Sequence, residues 1–298
     1  MNHPVKKSLL PTVLLLSVAL IWGGGFIVTD STVKANISPA YLITLRFAIP
    51  AVLMAVYFKK ELLSASKSDI LYGAGAGFLL FAAFTAQTYG IKFTTPANCA
   101  FLTSTNVIMV PFLSLILFKQ RPGIKSILCA FTCFIGAAIL SWSPDMGISF
   151  NLGDKLTLFC AFLFACHYAY LGSFAPKISS AGVLCTVQLG FTALFSFIFM
   201  LITEGKNVSF SLNGALLPIL YLALLSTGFC YFVQSWAQQR LSPSHTAVIL
   251  SMEGLFGSLF SVIMGLDDPT VTFITGGAII LISVIVIQIE PEKSSENI

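Results

Sequence analysis

The sequence has very little charge. Only 9% of its 298 residues are Asp, Glu, Lys or Arg, whereas 56% are hydrophobic. A soluble globular domain carries about 25% charged residues, so this chain lacks the polar groups that would cover a water-exposed surface. The mean hydropathy of +0.91 agrees with that shortage. The composition excludes an ordinary soluble enzyme, a disordered chain and a nucleic-acid-binding module, and it indicates an integral membrane protein.

The chain also lacks the short motifs that carry common enzyme chemistry. It contains no GxSxG nucleophile elbow, no HExxH zinc motif, no P-loop and no GxGxxG turn. None of its seven cysteines forms a CxxC pair, and Cys129 and Cys133, which would share a helix face, have no further ligand nearby in the sequence. We therefore predict no catalytic residue, no metal and no cofactor. Transport by this chain would draw on a gradient and not on bound ATP.

The chain is rich in apolar runs of about 20 residues, separated by short breaks that carry Pro, Gly, Ser, Asp or Lys. A membrane-spanning helix needs about 20 apolar residues, whereas strands of a membrane barrel are about ten residues long and alternate in polarity. The runs predict an all-α integral membrane protein with ten transmembrane helices. The predicted spans are residues 9–28, 40–58, 70–90, 97–118, 124–142, 156–174, 182–202, 216–237, 245–266 and 272–289.

Lysine and arginine are distributed unevenly among the breaks. With the N-terminus inside, the inner segments hold eleven of the sixteen basic residues, the outer segments hold four, and Arg46 lies within span 2. Such an excess marks the cytoplasmic side, so we predict a plasma-membrane protein with both termini in the cytoplasm. The inner residues are Lys6, Lys7, Lys59, Lys60, Lys67, Lys119, Arg121, Lys125, Lys177, Arg240 and Lys293, and the outer ones are Lys34, Lys92, Lys155 and Lys206.

The sequence repeats itself at an offset of 147 residues. Residues 85–122 align onto 232–269 without a gap, which places Gln87 on Gln234. Each half would contain five spans, an odd number, so the second half would enter the membrane upside down relative to the first. Inverted repeats allow many secondary transporters to build two interchangeable gates around a central site. We predict two five-helix repeats, residues 1–145 and 146–298.

Four short stretches carry a family resemblance. Residues 94–104 and the following Pro111 are similar to a fourth span, and residues 237–243, continuing to Glu253, are similar to a ninth span. The WGGGF sequence that begins at Trp22 and the pair Arg46-Phe47 are similar to first-span and second-span elements. Together they resemble the EamA family, a branch of the drug/metabolite transporter superfamily. The resemblance covers essentially the whole chain.

The resemblance implies ten helices in an inverted five-plus-five repeat, a central cavity, and transport of small metabolites, often outward. The chain departs from the family pattern at three places. Gly254 follows the ninth-span Glu, where the family often has Pro, and Gln120 and the pair Asp267-Asp268 stand where the family often has Glu. These departures limit what the resemblance implies about the gates.

Polar residues at mid-membrane depth are the main functional signal, because their burial is costly. Glu253, Asn106, His167 and Trp22 reach about the same level from spans 9, 4, 6 and 1. Glu253 is interpreted as a proton carrier, as the counter-ion of a cationic substrate, or as a hydrogen-bonded tie between helices. His167 can titrate near neutral pH or form a satisfied interhelical hydrogen bond.

Four further residues complete the candidates. Asn98 lies near the helix face of Asn106, and we expect both residues either to bind substrate or to bridge helices. Trp22 is expected either to stack on the substrate or to pack in the core. Gln87 and Gln234 are candidate gate residues at opposite ends of the membrane. Arg46 either snorkels outward, attracts an anionic substrate group, or forms a structural ion pair. His245 is expected at the interface near the inner end of span 9.

The sequence thus predicts a secondary active transporter of small organic metabolites such as amino acids, amines or drugs. It would work by alternating access around a midplane cavity, and the family resemblance favours efflux. A passive channel or facilitator is the first alternative. A membrane-embedded enzyme is the second alternative, and His167 and Glu253 are the only residues in the sequence that would support it. Expected partners are the small-molecule substrate, membrane lipid and a proton as coupling ion, without nucleic acid, in a monomer or homodimer.

Overall fold

The computed structural model describes residues 9–140, 151–205, 212, 214–265 and 270–289. Across these ranges the regular structure is helical, without a strand. The helices are α1 (Leu10–Lys34), α2 (Pro39–Tyr57), α3 (Lys59–Leu63), α4 (Lys67–Gly90), α5 (Pro96–Ser104), α6 (Asn106–Phe118), α7 (Ile124–Leu140), α8 (Leu152–Phe174), α9 (Ala181–Glu204), α10 (Leu216–Leu220), α11 (Cys230–Gln238), α12 (Pro243–Leu250), α13 (Met252–Ile263) and α14 (Val271–Ile289).

The helices coincide with the predicted spans. Nine spans in the described part of the chain hold a helix, or two or three helices in series, long and apolar enough to cross a membrane. The remaining one, α7, is a shorter apolar helix of 17 residues. The prediction of an all-helical, multi-pass membrane fold is confirmed, whereas the count of ten spans stays a prediction.

Several predictions fall on residues outside the described ranges. These are both chain ends, the predicted ends of spans 5 and 9, the acidic pair of the second half and four of the counted basic residues. They comprise residues 1–8 and 290–298, Trp142, Leu266, Asp267, Asp268, Lys6, Lys7, Lys206 and Lys293.

Helix α1 extends six residues beyond the predicted end of span 1 at residue 28. The polar side chains there find their partners within the same helix. Thr32 Oγ1 donates to the backbone carbonyl of Val28 at 2.7 Å, and Lys34 pairs with Asp30 at 2.7 Å. Thr29 and Thr32 are also buried. The run of polar residues ended the hydropathy signal too early, because side chains that bond back to the helix do not interrupt it.

Spans 4 and 9 are each interrupted by a tightened turn. Thr105 separates α5 from α6, and Ser251 separates α12 from α13. Both residues keep helical backbone angles (φ −61°, ψ −16° and φ −61°, ψ −13°), and their hydroxyls donate to the carbonyls of Leu102 and Val248 at 2.6 and 2.7 Å. Such side-chain bonds compete with the regular helix ladder. The interruptions lie within one residue of aligned positions, one residue before Asn106 and two residues before Glu253.

Span 8 carries a different irregularity. A π-helical segment, Tyr221–Phe229, joins α10 to α11, whereas the aligned span in the first half, α4, is a continuous α-helix. A π-helical segment widens the turn and alters the pairing of its carbonyls. The Ser226 carbonyl accepts a hydrogen bond from Trp22 Nε1 of α1 at 2.7 Å. Local π-helical geometry of this kind occurs frequently at functional sites.

Helices α2 and α9 pack against each other and are tied at both ends. Ser38, the N-cap of α2, donates to the carboxylate of Glu204 at the end of α9. Ser180, the N-cap of α9, donates to Glu61, which follows α2. The start of each helix therefore meets the end of the other, so the two helices are antiparallel.

Helices α7 and α14 form a second close pair. A Cβ added to Gly136 would lie 3.0 Å from the Gly276 carbonyl oxygen, and one added to Gly276 would lie 2.6 Å from the Gly136 oxygen. Thr132 and Ser283 share a hydrogen bond of 2.7 Å across the same crossing. Because glycine has no side chain, the two backbones can touch at this crossing. The order of the contacting residues shows that these two helices are also antiparallel.

Candidate substrate cavity

A small cavity of about 40 Å³ lies where seven of the predicted spans meet. Five of the eight candidate residues line it: Trp22, Arg46, Gln87, Asn106 and Glu253. The structure thus brings together residues that are far apart in the chain. The other lining residues are mainly aromatic or hydroxyl-bearing: Gly25, Phe26, Thr29, Phe84, Ile91, Thr103, Phe164, Tyr168, Ser226 and Tyr231.

Glu253 is the second residue of α13, directly after the tightened turn at Ser251. Its side chain is 6% exposed, and it has neither a hydrogen-bond nor an ion-pair partner anywhere in the described part of the chain. Helix α13 lies directly on α1, because a Cβ on Gly23 would be 2.9 Å from the Glu253 carbonyl oxygen. The carboxyl therefore belongs to the cavity wall with its hydrogen-bonding capacity unused.

Arg46 projects from α2 into the same cavity and is 5% exposed. Its Nε donates to Thr227 Oγ1 at 2.7 Å and its Nη2 donates to Ser226 Oγ at 2.9 Å. The guanidinium also lies 4.4 Å from the centre of the Phe84 ring, a cation–π contact. No carboxylate within the described ranges pairs with it. Hydroxyls and an aromatic ring hold Arg46, so the expectations of outward snorkelling and of a structural ion pair were wrong.

Sequence reasoning missed Ser226 and Thr227. Both lie in the π-helical segment and are fully buried. A Ser-Thr-Gly sequence in the middle of an apolar run was the available signal, since hydroxyls at membrane depth need partners. Their partner, Arg46, lies 180 residues earlier in the chain, and only the fold reveals the pairing.

Aromatic side chains form much of the cavity wall. The Trp22 ring lies 5.4 Å from that of Tyr231, whose ring is 6.1 Å from Phe84. Phe84 makes an edge contact of 5.3 Å with Phe164. Because the only donor of the Trp22 indole is bonded to the Ser226 carbonyl, the indole is fixed in place and offers an apolar surface to the cavity.

Asn106 and Gln87 contribute uncharged polar groups. Asn106 opens α6 beside the tightened turn and is 4% exposed. Gln87 Nε2 donates to Thr103 Oγ1 at 3.3 Å, which links α4 to α5. The aligned residue in the second half, Gln234, donates instead to Gln238 on its own helix at 3.2 Å. Of the two candidate gate glutamines, only Gln87 bridges two spans and lines the cavity.

His167 lies outside the cavity lining, in a buried polar layer next to it. Its Nε2 lies 3.2 Å from Gln188 Oε1, and Gln188 Nε2 donates to Ser235 Oγ at 2.8 Å. Its ring lies 6.1 Å from that of Tyr231, which lines the cavity. The structure therefore places His167 in an interhelical hydrogen bond, one of the two roles left open by the sequence.

Two other residues also lie elsewhere. Asn98 is in the first turn of α5, half-buried, with its backbone N–H bonded to Thr95 Oγ1 at 3.2 Å. His245 is only 3% exposed, and its Nε2 lies 3.0 Å from Gln288 Nε2, which links α12 to α14. Its expected position at the membrane interface stays a prediction. Within the described ranges no three His, Cys, Asp or Glu side chains cluster as metal ligands would.

Comparison with known proteins places this fold in a family. The model of the EamA-like transporter family matches residues 9–142 and 151–289. One relative from Archaeoglobus fulgidus, named an uncharacterized transporter, is 31% identical over 276 residues, which cover 92% of this chain and 84% of the relative. A second protein of that organism with the same name is 26% identical over 280 residues, covering 91% and 94%.

A solved structure has the same fold. This crystal structure of another protein superposes with a TM-score of 0.76 at 17% identity. The match covers 93% of this chain and 96% of the other. The family match and the named relatives confirm the resemblance found in the sequence and indicate a membrane transporter. The chain belongs to the EamA-like transporter family.

Proposed function

We propose that this protein is a secondary active transporter that exports small organic metabolites by alternating access, with the substrate bound in the cavity described above. The observation that carries the proposal is a pair of buried ionisable side chains, one basic and one acidic, in the wall of one cavity. Arg46 comes from the first half of the chain and Glu253 from the second. Charged side chains inside a membrane protein are rare and mark substrate and ion pathways.

An inverted repeat would supply the two gates, and three observations support it. The family model matches two successive ranges of the chain. Helices α2 and α9 are equivalent in the two halves, and the serine that caps the start of each one bonds to a glutamate at or just after the end of the other. The helix neighbours exchange as well: α4 packs on α8 and α9, while its counterpart in span 8 packs on α1 and α2. Such a repeat can adopt mirrored inward-open and outward-open states.

The size of the cavity favours a carrier over a channel. A volume of about 40 Å³ holds a few water molecules and is too small for an organic metabolite, so the helices must move apart to admit one. Tightened turns next to Asn106 and Glu253, together with the π-helical segment, provide places where they could do so. The membrane-enzyme alternative loses support, because His167 and Glu253 do not share the cavity.

A counterflow assay in proteoliposomes tests this proposal. Vesicles loaded with an unlabelled candidate should transiently accumulate the labelled molecule from a dilute external solution, because a carrier exchanges substrates. The screen would cover amino acids, amines, nucleobases and quaternary cations, with protein-free vesicles as control. A saturable overshoot supports the carrier, while flux that follows the gradient without overshoot or saturation indicates a channel.

The predicted orientation can be tested with two exposed loop residues. We expect Lys92→Cys to react with an impermeant maleimide added to intact cells, because the loop after α4 should face outward. Ser64→Cys, in the loop before α4, should react only after the membrane is permeabilised. Both single cysteines are placed in a background without the seven native ones. Labelling of Ser64→Cys in intact cells would contradict the orientation deduced from the basic residues.

A further inference from the structure

We propose that the membrane end at which α6 and α8 finish binds an anionic phospholipid. The phosphate of the lipid would lie on a cluster of exposed basic residues, and one acyl chain would lie in an apolar groove formed by α6 and α8. The proposal concerns the lipid-facing surface of the protein, so it goes beyond the proposed function and does not depend on what the cavity binds. The basic cluster consists of Lys67, Lys119, Arg121 and Lys177.

Two hydrogen bonds bring the basic cluster together from three parts of the chain. Gln120 Nε2, in the loop after α6, donates to the Gly172 carbonyl near the end of α8 at 3.2 Å. Ser179 Oγ, in the segment after α8, donates to the carboxylate of Asp69 in the first turn of α4 at 3.4 Å. Every residue of the basic cluster lies within two positions of one of these bonded residues. The cluster therefore occupies one membrane end of α4, α6 and α8.

Aromatic rings support the cluster. The Phe174 ring at the end of α8 lies 5.7 Å from the Phe118 ring of α6 and 4.4 Å from the Tyr72 ring of α4. Lys177 Nζ lies 5.1 Å from the centre of the Phe174 ring, a cation–π contact. Aromatic side chains concentrate at the level of the lipid headgroups. The rings therefore indicate that the basic cluster lies at the depth of the lipid phosphates.

The positive charges of the cluster are not neutralised within the described part of the chain. All four side chains are exposed, and none forms an ion pair there. Two acids near the cluster already have partners: Asp69 accepts hydrogen bonds from the Ser66 backbone N–H and from Ser179, and Glu61 accepts one from Ser180. Basic pockets between membrane helices bind anionic headgroups. A lipid phosphate would supply the negative charge that the protein does not.

An apolar groove of about 380 Å³ lies on the same two helices. Its lining residues are Ile108, Met109, Phe112 and Leu113 of α6 and Phe162 of α8. The rings of Phe112 and Phe162 are each 43% exposed. Lys119 follows Phe112 by seven residues, which is about 10 Å along a helix. A phospholipid whose phosphate binds the basic cluster would therefore have its acyl chains at the depth of this groove.

Native mass spectrometry and thermal unfolding of the purified full chain in detergent test the site. The probes are palmitoyl-oleoyl phosphatidylglycerol, which is anionic, phosphatidylcholine with the same acyl chains, which has no net charge, and glycerol phosphate, which has no acyl chain. We expect phosphatidylglycerol to bind at least tenfold more tightly than phosphatidylcholine. It should also raise the unfolding temperature, because a ligand that binds the native state stabilises it. Glycerol phosphate at the same concentration should have no effect.

Two double variants of equal charge locate the site. Lys119→Gln/Arg121→Gln removes half of the basic cluster, and it should lower the affinity for phosphatidylglycerol about 25-fold, since each basic residue contributes about fivefold. Lys59→Gln/Lys60→Gln, which removes two exposed charges from α3, is the matched control and should bind as the unmodified protein does. None of these side chains forms an ion pair within the described ranges, so both variants should unfold at the unmodified temperature without lipid.

Three results would overturn the lipid site. The first is equal affinity for phosphatidylglycerol and phosphatidylcholine. The second is an equal effect of the two double variants, whether both bind normally or both bind weakly, since weak binding by both would show a general attraction to basic residues. The third is stabilisation by glycerol phosphate equal to that by the lipid, which would indicate a phosphate site without a role for the groove. Counterflow has no bearing on these measurements, so a failure of the transport proposal would leave the lipid site standing.

Discussion

Replacing Glu253 with Gln should slow uphill transport by at least about tenfold while leaving a folded protein in the membrane. Gln keeps the shape and most of the hydrogen bonding but removes the charge. Since no described residue pairs with the carboxyl, the change leaves no partner unpaired and removes a costly buried charge. The loss of one charge-assisted contact to a ligand or proton, about 1.5–3 kcal/mol, corresponds to roughly a ten- to hundredfold loss of rate or affinity.

Initial rates in proteoliposomes with and without an imposed proton gradient would measure this effect. If Glu253 handles only a proton, gradient-driven transport should fail while substrate exchange survives. If it pairs with the cationic group of the substrate, exchange should weaken as well. Glu61→Gln, which neutralises an exposed carboxylate at the end of the α2–α9 pair, is the control. Normal pH-dependent uphill transport by Glu253→Gln would show that the residue is structural and would direct attention to His167.

The pattern of hydropathy along the sequence predicted most of the fold, because the length and composition of an apolar run determine whether it can span a membrane. It also selected Trp22, Asn106 and Glu253, since depth along a helix follows from residue number. What it could not predict was the direction of a side chain about the helix axis. His167, for example, contacts Gln188 and does not line the cavity. The rotational position of a span depends on packing against neighbours that a single segment does not encode.

The local irregularities were missed for a related reason. Asn98 and Asn106 are eight residues apart, a spacing that keeps them near one face of a regular helix. The tightened turn at Thr105 changes the rotation per residue between them, and only Asn106 lines the cavity. The hydroxyl of Thr105 that bonds back to the helix is visible in the sequence as a Ser-Thr pair, but many such pairs leave a helix unbroken.

Replacing Gly23 with Ala should impair both stability and transport. A Cβ at this position would lie 2.7 Å from the Gly257 backbone nitrogen, 2.9 Å from the Glu253 carbonyl oxygen and 2.9 Å from Phe256 Cβ. Two of these are backbone atoms, so no flexible side chain can yield, and α1 must move away from α13. Overpacking of this kind costs about 1–3 kcal/mol. The movement would also shift Glu253 within the cavity wall, so transport should fall roughly tenfold.

Gly190→Ala separates this effect from helix propensity. Both glycines lie inside long helices, α1 and α9, but a Cβ on Gly190 would have no atom within 4 Å. In both helices Ala is intrinsically more favourable than Gly by up to about 1 kcal/mol, so Gly190→Ala should unfold at the same or a higher temperature and transport normally. Thermal unfolding in detergent and counterflow rates give the comparison. Equal stability and activity of the two variants would mean that α1 and α13 are not held in contact at Gly23, and the cavity wall at Glu253 would then need a different support.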